Sequence, residues 1–201
     1  MFGIEALIIR IPVILIALVI HEFAHAKSAD MLGDPTPRYA GRLTLNPIPH
    51  IDPIGLLMLM VVRIGWAKPV PINPNNFKDP RTGSAIVSLA GPISNFFSAW
   101  LVASLIRLLP FPILEINQYL TIFLINFVWI SVALGVFNLL PIPPLDGSHI
   151  LELFISPQTA YMLRQYGFMI LIFILVFPGT GYLLFAVINS IVKLLLPMLF
   201  L

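Results

Sequence analysis

Long apolar stretches, punctuated by proline, glycine and small polar clusters, organise the chain. A helix needs about 20 residues to cross about 30 Å of hydrocarbon. Four or five stretches reach that length, at about residues 4–30, 83–109, 118–140, 159–177 and 181–200. The last two are separated by "FPGTG", which predicts a tight helical hairpin. Residues 147–157, starting after Gly147 and ended by Pro157, predict a short helix.

Between the first two spans lies a region, 31–82, rich in Pro, Gly and Asn, whose apolar run "IGLLMLMVV" is too short to cross. "GRLTL" and "GWAKPVPI" predict short strands at or partly in the membrane, the second confined to an edge by Pro69 and Pro71. Irregular backbone at that depth must be shielded by protein or line a wet cavity, because lipid cannot satisfy its amides. The expected fold is an α-helical polytopic membrane protein. It has a single domain over 1–201 and about five transmembrane helices, with a membrane-associated β-hairpin or re-entrant region between the first two.

Composition agrees. The hydrophobic fraction is 59% and the charged fraction 10%, against about 45–50% and 25% in soluble domains, and the mean hydropathy is +0.98. A formal charge of +2 with no basic run excludes a nucleic-acid partner, and the absence of cysteine excludes disulfides and thiolate metal sites. Ala24-His25-Ala26 has the form of a signal-peptidase site, but His21 and Glu22 interrupt the apolar core such a signal needs.

Seven of the eleven Lys and Arg residues, namely Lys27, Arg38, Arg42, Arg63, Lys68, Lys78 and Arg81, fall in region 31–82 or at its helix edges. The positive-inside tendency places that region and residues 141–158 in the cytoplasm, with the N-terminus and the 110–117 turn outside; Arg10 and Arg107 oppose this weakly. The expected location is the cell (inner) membrane, multi-pass, with the active site toward the cytoplasm.

Polar residues inside the first span carry the chemistry. His21 and His25 are four apart, so on a helix they share one face a turn apart, and both imidazoles can reach one ion. Glu22 lies beside that face, where a carboxylate can serve as general base without being a ligand, the H-E-x-x-H arrangement. Chance produces this pattern in about one chain of this size in a hundred, so the bare match is moderate evidence. The setting strengthens it, since an ionisable group at the centre of a span costs about 2.5–3.5 kcal/mol on insertion scales. The competing readings are a proton relay or buried hydrogen-bonded histidines.

A catalytic zinc usually takes three protein ligands. The candidates for the third are Asp30, Asp34, His50, Asp52, Asp79, Asp146, His149 and Glu152. Asp146 closes "NLLPIPPLDG", where three prolines break the third span and Gly147 lets the chain turn. It also suits the N-cap of the short helix that follows, and both roles stay open at this point.

"HEFAH" on an apolar first helix, then "GRLTLNPIPHIDPIG", "AGPISN" and "NLLPIPPLDG", resemble in order and spacing the site-2 protease family of intramembrane zinc metalloproteases. The resemblance covers about residues 10–155. It implies one Zn²⁺ per chain held by His21, His25 and Asp146, and an assisting role near the zinc for Asn138, which would hydrogen-bond substrate or the oxyanion. It further implies a zinc-bound water activated by Glu22 that attacks the scissile carbonyl. The implied substrate is a transmembrane protein, met within the lipid bilayer and cut in or near its spanning segment. No segment matches the PDZ or CBS modules of many relatives, so a homo-oligomer or a regulatory membrane partner becomes a candidate for gating.

Three further residues carry paired readings. Asn95 is either a helix-packing hydrogen bond or part of the site, and Gly91 is a close-packing position. His50 and His149 are each either structural, a group behind the metal ligands or part of a substrate pocket, and His149, three residues after Asp146, competes with it as ligand. The alternative function is a membrane transporter or channel with a midplane metal or proton site, which predicts internal repeats that the sequence does not show. An inactive scaffold on the same fold is a third reading, disfavoured by the intact motif.

Overall fold

The structure, a computed structural model, describes residues 4–62, 65–109, 117–177 and 179–197. Helix α1 covers Ile4–Met31. It ends in a Schellman motif: Gly33 N–H donates to Asp30 O at 3.2 Å and Asp34 N–H to Ala29 O at 2.9 Å, with Gly33 at φ 101°. The carboxylate of Asp34, fully buried, then accepts from Thr36 N, Asn73 N and Asn76 Nδ2 at 3.1, 2.8 and 2.7 Å. One acid thereby ties the exit of α1 to a turn about forty residues later.

After the short helix α2 (Thr36–Tyr39), the chain makes a single turn at Ile48–His50 and enters α3 (Pro53–Val62), the expected short apolar run. Asp52 Oδ1 opens α3 by accepting from the N–H groups of Ile54 and Gly55, both at 2.9 Å. The chain then returns along residues 65–72.

The expected hairpin is corrected here. Among the described residues no strand forms, and the two candidate stretches do not pair with each other. "GRLTL" is a run of turns and bends beginning at Gly41, whose φ is 67°. "GWAKPVPI" forms no strand and makes one isolated antiparallel bridge, Ala67 with Ile51. The cause is donor supply, since Pro69 and Pro71 have no N–H. Lys68 N–H goes to His50 O at 2.9 Å and Val70 N–H to the Glu22 carboxylate at 3.2 Å, so over 68–71 no donor faces the other stretch.

Helix α4 (Pro80–Leu108) starts with Pro80 in its first turn and Asp79 as cap, accepting from Arg81 N–H at 3.1 Å. Helix α5 (Gln118–Asn138) is capped by Asn117. A proline-rich loop leads to α6 (Gly147–Leu151), and Ser156 caps α7 (Pro157–Val176). Helix α8 covers Thr180–Leu195.

Among the described residues, four helices are long and apolar enough to cross a membrane: Ile9–Met31, Pro80–Leu108, Gln118–Asn138 and Pro157–Val176. The fifth expected span is a 16-residue helix, about 24 Å long at 1.5 Å per residue. Most of the 110–117 turn, Arg63, one residue of "FPGTG" and the last four of the chain lie outside the described residues.

Helix α4 is central, packing along both α1 and α5. Ala99, Ala103 and Ile106 of α4 meet Val128 and Val132 of α5 and Val192 of α8 in one buried cluster, and Val13 and Ala17 of α1 meet Phe127 of α5 in another. Small residues let the helices approach, as membrane packing requires. A Cβ at Gly135 would come within 2.8 Å of the Phe96 ring. Helix α7 docks through Gly167 against Pro143 and through Leu171 against Ile142 and Leu145. Large apolar side chains such as Phe97, Trp100, Phe168, Phe173 and Leu183 stay exposed on the outer faces. On a set of crossing-length helices this describes an integral membrane protein whose outer surface is solvated by lipid.

Candidate metal centre

The local helix period does what the sequence required of it. His21 and His25, 4% and 7% exposed, stack edge to face with ring centroids 4.5 Å apart, and their Nε2 atoms are 2.9 Å apart. Asp146 Oδ2 stands 3.1 Å from His21 Nε2 and 3.4 Å from His25 Nε2. Three ligand atoms of the kind zinc prefers thus form a triangle with sides 2.9, 3.1 and 3.4 Å. Around a tetrahedral zinc with bonds of about 2.0–2.1 Å, neighbouring ligands lie about 3.3 Å apart.

Protonation supports the fit. His25 Nδ1–H donates to the main-chain oxygen of Val87 at 2.7 Å, which leaves a lone pair on its Nε2. Asp146 Oδ2 is buried and receives no hydrogen bond. Buried acceptors converging without a donor are costly unless a cation sits among them. The chain also keeps that place open: a Cβ at Gly91 would fall 2.6 Å from His21 Nε2 and closer still to His25 Nε2.

The proline loop explains how Asp146 arrives. A Cβ at Gly147 would fall 2.5 Å from Leu140 O and would also press on Leu139 O, so glycine is what lets the chain fold back over the end of α5. Asp146 occupies the cap position of α6 with helical φ −57° and ψ −39°, but its side chain makes no capping hydrogen bond and turns to the histidines instead. Ligation and capping are both open from the sequence; in the structure the side chain makes no cap hydrogen bond and lies with the two imidazoles.

The other candidates are placed elsewhere. Asp30 pairs with Arg38 at 2.7 Å, Asp52 and Asp79 cap helices, and Glu152 takes two hydrogen bonds from Arg164 at 2.7 and 2.5 Å. His149 is 41% exposed and lies 3.7 Å from Glu152, outside the cluster. His50 is buried, and its ring nitrogen Nε2 pairs with Thr44 O at 2.9 Å, holding the loop before α3. Among the described residues, His21, His25 and Asp146 are the set brought together for a metal.

Glu22, next to His21 in sequence, is buried, with Oε2 accepting the Val70 N–H. The buried guanidinium of Arg42 donates to Lys68 O and so holds the same run of chain from the other side. Burial pushes Arg42 below its ordinary pKa, and the charge of Glu22 opposes that. Asn138 turns its amide back to Leu134 O at 3.0 Å within α5. Asn95, given two readings on sequence grounds, is fully buried, with Nδ2 3.1 Å from His21 Nδ1. Its spacing from Gly91, one helical turn, was the signal in the sequence.

Beside the centre, an apolar cavity of about 580 Å³ opens between Leu18 and Val19 of α1, Leu134 and Phe137 of α5, and Trp66 and Ala67 of the run after α3.

Comparison with known proteins places this geometry. The family model for Peptidase family M50 matches residues 112–177, the segment that contains Asn138 and Asp146. YwhC of Bacillus subtilis, which bears the name of a zinc metalloprotease, is 39% identical over 184 residues, covering 88% of this chain and 84% of YwhC. Rip2 of Mycolicibacterium smegmatis is 35% identical over 82% of this chain and 65% of its own length. Rip2 of Mycobacterium tuberculosis is 34% identical over 81% and 63%. No solved structure is a significant match. The chain belongs to peptidase family M50, the site-2 family of zinc metallopeptidases.

Proposed function

We propose that this chain is a zinc-dependent endopeptidase that cuts peptide bonds in or next to the transmembrane segments of membrane-anchored proteins. The observation that carries this is the triangle of His21 Nε2, His25 Nε2 and Asp146 Oδ2, set on a helix long enough to cross the bilayer. When bound there, zinc supplies a Lewis acid and brings the pKa of a water toward about 7.

The chain's own groups supply the rest. Glu22 takes the proton of the attacking water and returns it to the leaving amine. Asn138, at the end of α5 and eight residues before Asp146, serves as a neutral donor toward the oxyanion once its amide swings from Leu134 O. The backbone of 65–72, which forms no helix and bridges Ile51 only at Ala67, offers partners to a substrate segment that has unwound, and the apolar cavity it lines suits the large side chains such a segment carries. The clustering of Lys and Arg in region 31–82 supports a cell-membrane protein with its active site toward the cytoplasm.

The test is metal analysis of detergent-purified protein together with cleavage of a single-span model substrate. Wild type should hold one zinc per chain and cleave; Glu22→Gln should hold the zinc and not cleave. Cleavage by Glu22→Gln at the wild-type rate, or active protein without a metal, would overturn the proposal.

A further inference from the structure

Three residues of α4, each one turn from the next, face the two imidazoles: Val87, Gly91 and Asn95. Val87 gives its carbonyl to His25 Nδ1–H at 2.7 Å, and Gly91 gives room. Asn95 is the third, with its side-chain amide 3.1 Å from His21 Nδ1. It is 0% exposed, and the far end of its amide, Oδ1, meets no partner.

A half-turn of an amide exchanges oxygen and nitrogen with almost no change in shape, so the partner decides which end faces it. With nitrogen toward His21, the ring must accept at Nδ1 and carry its proton on Nε2. That proton would then point into the space shared with His25 Nε2 and Asp146 Oδ2, which are 2.9 and 3.1 Å away, and His21 could not ligate. With oxygen toward His21, Nδ1–H has an acceptor and Nε2 presents a lone pair, as His25 does through Val87. As placed, the far-end oxygen has no donor to hold it there, so the ring decides.

We propose that Asn95 is a positioning residue of the metal centre, whose Oδ1 accepts the Nδ1–H of His21 and holds that ring in the tautomer and orientation that ligate zinc. The inference rests on the zinc reading above. It gives α4 a matched pair of supports, a main-chain carbonyl for one histidine and a side-chain carbonyl for the other. It also accounts for an amide here, because a carboxylate at the same depth in a span would add an ionised group to the lipid-embedded core. Loss of such an outer hydrogen bond typically lowers metal affinity ~10–100-fold.

Zinc affinity of the full-length, detergent-purified chain, measured by chelator competition, tests this without reference to cleavage. Asn95→Leu keeps the size and removes the acceptor; it should bind zinc ~10–100-fold more weakly while the zinc-free protein unfolds at the wild-type temperature. Asn95→Asp keeps only the acceptor and should bind at least as tightly as wild type. Zinc affinity in Asn95→Leu within about threefold of wild type, or an equal loss in both variants, overturns the proposal, because the first outcome falls below the ~10–100-fold range of a lost outer hydrogen bond. If Asn95→Leu does not fold, Asn95→Asp decides alone, retention supporting and loss overturning. Asp146→Ala separates this from the ligand set: if it keeps zinc while Asn95→Leu loses it, Asp146 is not a ligand and Asn95 keeps its role. A wild type that binds no zinc overturns both.

Discussion

The main-chain N–H of Val70 donates to Glu22 Oε2 at 3.2 Å across 48 positions of sequence. The expected general base on α1 is thereby oriented by the run that follows α3, and that run is fixed in turn by the Arg42 guanidinium on Lys68 O and by Lys68 N–H on His50 O. Removing this one donor should leave the zinc in place and impair proton transfer. For Val70→Pro we expect full zinc content and a fall in kcat of about 10-fold, the scale of a lost hydrogen bond to a charged group. Single-turnover cleavage beside metal analysis checks it; unchanged kcat would mean Glu22 needs no such anchor.

Gly91 offers a test in which local and tertiary effects have opposite signs. Gly→Ala in a helix interior favours the helix by about 0.8–1.0 kcal/mol. Here the added Cβ would meet His21 Nε2 at 2.6 Å. We expect Gly91→Ala to lose zinc by ~100-fold or more, the upper end for perturbing a metal's surroundings. Zinc stoichiometry after dialysis would reveal it, and a fully loaded variant would show that the two helices can separate at no cost.

His149 and Asp146 sit three residues apart and competed on paper for one role. His149→Ala should keep the metal because its ring lies by Glu152 at 3.7 Å, whereas Asp146→Ala should empty the site. Metal content of the two variants distinguishes them directly.

Glu152 joins α6 to α7 through Arg164 and, by its main-chain oxygen, to Arg81 of α4. The Arg164 hydrogen bonds hold its carboxyl below the ordinary carboxylate range, with burial opposing. A lowered folded pKa adds stability above the unfolded value, about 4.3, and loses it as pH falls through the folded value. Thermal unfolding should therefore show Arg164→Gln less stable than wild type at pH 7, with the gap closing below about pH 4. A gap that is constant with pH would remove the ion pair as its cause.

What the sequence determined by itself was whatever depends on neighbours within a turn or a span. Apolar length placed the ends of four long helices within about three residues of where they lie, and the four-residue spacing put His21 and His25 on one face, because helix geometry is local. Donor counting applied to Pro69 and Pro71 limited the second stretch to an edge, but it could not say where Lys68 and Val70 would send their N–H groups. Those went to His50 and Glu22, and the expected hairpin did not form.

The tertiary structure decided every choice that rested on a distant partner. Asp146 meets the two imidazoles and makes no cap hydrogen bond because the Gly147 turn carries it to rings more than a hundred residues earlier. Asn95 and Val87 meet the histidines across separations of 74 and 62 positions. A buried polar group takes whichever partner packing brings within about 3 Å, and packing of α4 against α1 is set by small residues whose fit is a property of both surfaces together.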